Sequence, residues 1–134
     1  MKKRYTSMAL LGALFIASTA GATPATDELF ARYKADGASN FDGERGAKNW
    51  NKKVKGEDGE TMSCATCHGD DLSKTGKHHK TSKVIQPMAP SANAERFTEV
   101  KKIEKWFKRN CNDAWGRECT PQEKGDFLKF LLSK

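Results

Sequence analysis

Cys64-Ala65-Thr66-Cys67-His68 is the stretch of this chain that carries the most chemistry. Two thiols three positions apart, followed at once by an imidazole, form the C-x-x-C-H pattern of c-type haem attachment. The spacing has a physical reason. Both thiols reach the two vinyl groups on one edge of a porphyrin, and the adjacent imidazole falls under the iron as its proximal ligand. The pattern occurs once, so it implies a single haem c held through Cys64 and Cys67, with His68 on the iron. A thioredoxin-like redox pair would need a βαβ pattern around C-x-x-C, and none is present. A zinc site would need two further ligands at metal spacing, whereas Cys111 and Cys119 lie eight residues apart.

The ligand on the other face of the haem decides its task. A strong ligand makes an electron carrier; a weak or absent one leaves a site for gases. The candidates are Met88, His78, His79, Met62, lysine side chains and Asn110. Met88 precedes Ala89-Pro90, as a ligand-loop methionine does, but stands only 20 residues after His68, with two helical segments still to come. The place just before the last helix is held by Asn110, 42 residues after His68. His78 and His79 sit in a Lys-rich tract and read as solvated; Met62, two residues before the motif, is on the wrong side of the ring. Spacing alone leaves Asn110 and Met88 open. Cys111 and Cys119 are the two cysteines the haem motif does not use. In an oxidising compartment they are expected to pair, closing a short ring that fixes the backbone where Asn110 leaves its helix.

The elements that must position these groups read as helices joined by loops. The 134 residues allow one domain and little more. Residues 1–22 read as a secretory signal: Lys2, Lys3 and Arg4 are its positive start, Met8 to Ala17 an apolar run of ten, and Ala20-Gly21-Ala22 a small-x-small cleavage site. Ten apolar residues are too few for a bilayer core that needs about 20, so the chain is not membrane-embedded once the signal is removed. The periplasm is the expected destination, and residues 23–134 form the expected cytochrome c domain. The full chain carries a formal net charge of +7; without 1–22 it falls to +4, mildly basic, with no indication of nucleic-acid binding.

Thr23-Pro24 opens a first helix with Leu29, Phe30 and Tyr33 on one face and Gly37 as its stop. A second is expected over about Asp42 to Trp50, with Phe41, Ala47 and Trp50 inward. Residues 51–62 read as a polar loop into the haem motif, and 69–94 as a long loop wrapping the cofactor. Thr98 is the expected cap of a helix from Glu99 to Arg109, with Val100, Ile103 and Phe107 in register and Trp106 beside them. Thr120-Pro121-Gln122-Glu123 is a capping box with Pro at the first position, leading the stripe Phe127, Leu128 and Leu131. No strand-like alternation or internal repeat is evident. The expected class is all-α: a small cytochrome c-like fold whose first and last helices cross beside one covalently bound haem.

The chain resembles the SHP-type cytochromes c, the small high-spin oxygen-binding class of exported bacterial haem proteins. The resemblance covers nearly the whole of 23–134. It runs through Glu44-Arg45-Gly46, Ser63-Cys64-Ala65-Thr66-Cys67-His68, Thr75-Gly76-Lys77, Pro87-Met88-Ala89-Pro90-Ser91, Glu95-Arg96-Phe97-Thr98 and Glu104-Lys105-Trp106-Phe107. Its most specific part is Arg109-Asn110-Cys111 with Gly116-Arg117-Glu118-Cys119-Thr120. The resemblance implies iron ligation by His68 and Asn110, and a disulfide between Cys111 and Cys119. An amide oxygen is a hard, weak donor that suits ferric iron better than ferrous. The implied behaviour is therefore a redox-gated site: Asn110 bound when oxidised, released on reduction to admit O₂, NO or CO. The implied partners are a dihaem cytochrome c or other redox protein and a diatomic gas. Lys101, Lys102, Lys105 and Lys108 could serve docking. An ordinary periplasmic electron carrier with Met88 as sixth ligand is the alternative, and a gas sensor or scavenger a third reading. Terminal reduction of a small diatomic is a further reading; it would need a proton path, for which His78, His79 and Asp113 are candidates that their spacing does not support. A monomer is the default.

Overall fold

The computed structural model describes residues 21–55 and 58–134. The signal expected over 1–22 lies outside them apart from Gly21 and Ala22. Five helices account for most of the regular structure. Helix α1 (Pro24–Ala35) starts where Thr23 and Thr26 cap each other: the Thr26 N–H donates to Thr23 Oγ1 at 3.2 Å and the Thr23 N–H to Thr26 Oγ1 at 2.8 Å. Ala25, Leu29 and Tyr33 recur every four residues and are its buried row. Helix α2 (Gly43–Asn51) starts at Asp42, whose Oδ1 accepts from the Glu44 N–H at 2.8 Å, and buries Gly46 and Trp50. The haem motif is itself a short helix, α3 (Cys64–His68). Helix α5 (Pro121–Leu131) has the expected reciprocal capping box, Glu123 N–H to Thr120 Oγ1 at 3.2 Å and Thr120 N–H to Glu123 Oε2 at 2.9 Å.

Three expectations need correction. Helix α4 runs over Val100–Trp115 rather than stopping at Arg109. The row Ile103, Phe107, Cys111 and the buried pair Ala114 and Trp115 carry its apolar face six residues further, to Gly116 in the left-handed conformation (φ 67°). Asn110 therefore lies inside a helix, not at its exit. Thr98 is not the cap; Glu99 holds that position, and Thr98 Oγ1 donates back to the Glu95 carbonyl at 3.0 Å. Finally, the loops contain two small antiparallel ladders, β1 (Val54–Lys55) with β2 (Thr61–Met62), and β3 (Gly76–Lys77) with β4 (Val84–Ile85). Two-residue strands are too short to leave an alternating pattern in a sequence.

Helix α5 is the centre of the packing. Against α2 it approaches so closely that a side chain at Gly46 would collide with the Asp126 carbonyl. The Asp126 carboxylate, 1% exposed, is held there by Arg45, whose Nε donates to Oδ2 at 2.5 Å and Nη2 to Oδ1 at 2.8 Å, and by the Asp42 N–H at 2.8 Å. A buried carboxylate needs this much partnering to offset its lost hydration. Helix α1 joins through Leu29 and Leu128, both fully buried in a cluster with Tyr33 and Ile103. A second cluster lies beside α3. It contains Trp50, Met62, Leu72, Ala89, Ala114 and Phe127, with Cys64, Ala65 and Met88 packed against it. No helix among the described residues is long and apolar enough to cross a membrane.

Candidate functional site

Helix α3 exists because its short ends are tied. The Ser63 N–H donates to Thr66 Oγ1 at 2.9 Å, and the Gly69 N–H closes the far end on the Ala65 carbonyl at 2.8 Å. Behind it, Gly76 of β3 presses so near the Cys67 carbonyl and His68 Cα that no side chain fits there. Cys64 and Cys67 are free thiols one helical turn apart. Burial pushes the Cys64 thiol up to about 12, so it stays protonated at neutral pH.

His68 follows on the same helix. Burial, helped by the nearby Arg96 cation, lowers its pKa to about 4. The imidazole is therefore neutral, the form in which a ring nitrogen can bind a metal. Its Nδ1 is buried with no hydrogen-bond partner among the described residues, as are the indole N–H groups of Trp50 and Trp115. The Trp50 ring lies 5.3 Å from the His68 ring. Orphaned buried donors are rare in proteins. Two free thiols, a neutral imidazole and unpartnered indole N–H groups in one apolar cluster fit a haem, whose macrocycle is apolar and whose propionates accept hydrogen bonds.

Met88 and Asn110 are treated differently by the fold. The Met88 N–H and the Ala89 N–H both donate to the Leu72 carbonyl, at 3.0 and 2.9 Å. The Met88 side chain packs against the apolar cluster. Arg96 fastens the same segment, with Nε to the Pro87 carbonyl at 2.7 Å and Nη2 to the Gln86 carbonyl at 2.5 Å. Arg96 has no carboxylate partner among the described residues, and its burial lowers its pKa. Asn110 sits half-buried on α4, and its amide makes no hydrogen bond among the described residues. Asn112, two positions on, has its amide engaged with the Lys108 carbonyl at 2.8 Å. The next residue after Asn110 is Cys111, joined to Cys119 in a disulfide with the two Cα atoms 5.7 Å apart and both residues buried. That bond ties the Asn110 turn to the start of α5.

The histidines after the motif are not simply solvated, as their Lys-rich surroundings suggest. His79 is mostly buried, with Nδ1 3.5 Å from Cys67 Sγ, and His78 stacks on it at 5.1 Å. The two rings, with Asp58, Lys80, Arg109 and Asp113, line a cavity of about 340 Å³. The cavity brings the residues flanking Asn110 opposite a histidine that touches α3. Thus the fold gathers the neighbours His78 and His79 with Asp113, which lies far along the chain. The roles of His79, Arg96 and Trp115 carry no local sequence signal, because each depends on burial by distant segments, whereas Trp50 is placed inward by the pattern of α2.

Known proteins are similar to this chain in sequence and in fold. A family model described as Domain of unknown function (DUF1924) matches residues 36–131. The "Cytochrome c-type protein SHP" of Cereibacter sphaeroides is 43% identical over 107 residues, 80% of this chain and 82% of that protein. The structure of oxidized SHP, described as an oxygen binding cytochrome c, superposes with a TM-score of 0.75 at 42% identity and covers 81% of this chain and 96% of that one. The solution structure of Methylophilus methylotrophus cytochrome c'', described as giving insight into haem-ligand detachment, has a TM-score of 0.71 at 33% identity and covers 81% and 93%. The architecture is thus that of small c-type cytochromes, and the helical class expected from sequence is correct.

Proposed function

This chain belongs to the SHP family of c-type cytochromes, with haem c as its cofactor, and from that premise we propose an exported redox protein whose distal site is gated by Asn110. Haem iron, when bound, supplies a one-electron couple and a coordination position for a diatomic molecule. Cys64 and Cys67 would anchor the group and His68 would ligate its iron. Asn110 would hold the iron in the oxidised protein and let it go on reduction, because an amide oxygen is a hard donor poorly matched to the softer ferrous state. The released N–H₂ would then be a hydrogen-bond donor for an incoming diatomic. The chain exchanges electrons with another redox protein, a dihaem cytochrome c in the family reading, and takes up O₂, NO or CO. The periplasm is the compartment that fits a signal over 1–22 and a disulfide.

One observation carries this reading over its rival: Asn110 is a half-buried amide with no partner among the described residues, on a turn pinned by the Cys111–Cys119 bond. Met88 packs against the same apolar cluster, on a segment tied down by the Leu72 carbonyl and by Arg96. The relatives point the same way, one described as oxygen binding and one as showing haem-ligand detachment. The test is to replace Asn110 with Met and, separately, Met88 with Leu. Asn110→Met is expected to give a low-spin protein with poor O₂ uptake, while Met88→Leu leaves spin state and gas binding as they were. If Met88→Leu alone converts a low-spin protein to high-spin, Met88 is the ligand and the gating proposal fails.

A further inference from the structure

Helix α4 shows solvent a face that the gating of Asn110 does not use. Two rows of residues spaced by four run along it, and residues so spaced are neighbours on a helix. One row is Lys101, Lys105 and Arg109, all exposed. The other is Lys102, Trp106 and Asn110, and it continues to the buried Ala114. Trp106 is 41% exposed, one of two large apolar side chains so exposed among the described residues. Lys105 Nζ and Arg109 Cζ lie over its ring, at 5.9 and 5.6 Å from the centroid. Trp and Arg are the residue types that most often carry binding energy at protein interfaces.

The cations are also free to engage a partner. Lys101 and Lys105 have no ion-pair partner among the described residues. Lys102 reaches Glu99 only at 3.8 Å and Arg109 reaches Asp113 at 3.8 Å, both pairs well exposed. Exposed pairs of this kind contribute about 0–1 kcal/mol and are readily exchanged. The face therefore offers a central apolar ring and a cationic surround, which fits a carboxylate-rich surface with an apolar centre. It also lies one helical turn from Asn110, so a docked molecule sits beside the distal side of the site.

We propose that the Lys101–Lys105–Arg109 row and Trp106 form the docking surface for an acidic redox protein, through which electrons reach this cytochrome. The inference rests on the electron-exchange reading above and adds the chemistry of the partner and its place on the fold. Charge complementarity of this kind acts chiefly on encounter rate and on salt dependence.

The test uses the haem-loaded protein and two electron donors: a flavodoxin hydroquinone, a small acidic protein, and photoreduced lumiflavin, which is small and uncharged. Lys101→Glu combined with Lys105→Glu is expected to slow reduction by flavodoxin about tenfold or more at low salt and to flatten its salt dependence. Trp106→Ala is expected to weaken flavodoxin reduction at any salt concentration. Neither change should move the rate with lumiflavin or the visible spectrum. Equal effects on both donors, or no effect of charge reversal on flavodoxin, would overturn the proposal. So would a spectral change in Trp106→Ala without a flavodoxin effect, which would assign the indole to the cofactor pocket instead. If the unaltered protein accepts electrons from neither donor, the electron-exchange reading itself fails, and the two failures are told apart.

Discussion

Asn110 and Cys111 do different work on adjacent positions of one helix. Cys111 turns inward and, through Cys119, fastens the last turns of α4 to the start of α5; Asn110 keeps an uncommitted amide at the edge of the apolar face. A disulfide closing a ring this short stabilises by about 2.5 kcal/mol, on the view that it restricts the unfolded chain. Replacing both cysteines by Ala is expected to lower unfolding free energy by roughly that amount, measured by urea titration of the oxidised protein. A loss below about 0.5 kcal/mol would mean that the bond adds little to stability, and a thiol titration of the unfolded chain would then tell whether it forms. Much at this scale is legible in the sequence itself. Cys64, Cys67 and His68 carry a pattern with few other meanings, and once they are assigned the other two cysteines are a pair. What spacing leaves undecided is Asn110 against Met88, since a ligand is chosen by what the fold does with the alternatives. Here Met88 is fastened to Leu72 by its backbone and packed by its side chain, which no local pattern announces.

Among the elements, three helices meet at one polar contact that ties the framework around the site. Tyr33 of α1 donates to Glu104 of α4, and Lys124 of α5 reaches the other Glu104 oxygen at 2.8 Å. Burial alone would raise the Glu104 pKa, but the bonds from Lys124 and Tyr33 outweigh it and hold the carboxyl below its usual range. A carboxylate with a depressed folded-state pKa stabilises above its unfolded value, about 4.3, and that contribution is lost as pH falls through the folded value. Solvent reaches part of this contact and screens it, so Glu104→Gln is expected to cost only about 1 kcal/mol at pH 7, with the gap from the unaltered protein closing in acid. Urea titrations at neutral pH and near pH 3 check this; a gap that stays constant would mean the charge of Glu104 contributes nothing. The starts of α1, α2 and α5 are readable because Thr23, Asp42 and Thr120 are strong caps. The end of α4 is not, because polar residues interrupt its last turns and its continuation depends on burial of Cys111, Ala114 and Trp115 by other segments.

At the scale of the whole molecule, a small chain assembles its helices around a site lined by unpartnered polar groups. Trp50, Trp115 and His68 all contribute buried nitrogen atoms without partners among the described residues. Such groups are costly unless something pairs with them, so the cofactor completes the core as well as providing the chemistry. The all-α architecture is legible from helical periodicity and caps; the two ladders and the buried His79 are not, because their causes are tertiary. Opening of the iron on reduction through release of Asn110 is tested most directly by optical spectra of the purified haem protein, oxidised and then reduced, with and without CO. A high-spin reduced spectrum that shifts promptly when CO is added is expected. A low-spin spectrum in both states, with the long-wavelength sulfur-to-iron band when oxidised and no response to CO, would contradict it and make Met88 the ligand of an ordinary electron carrier.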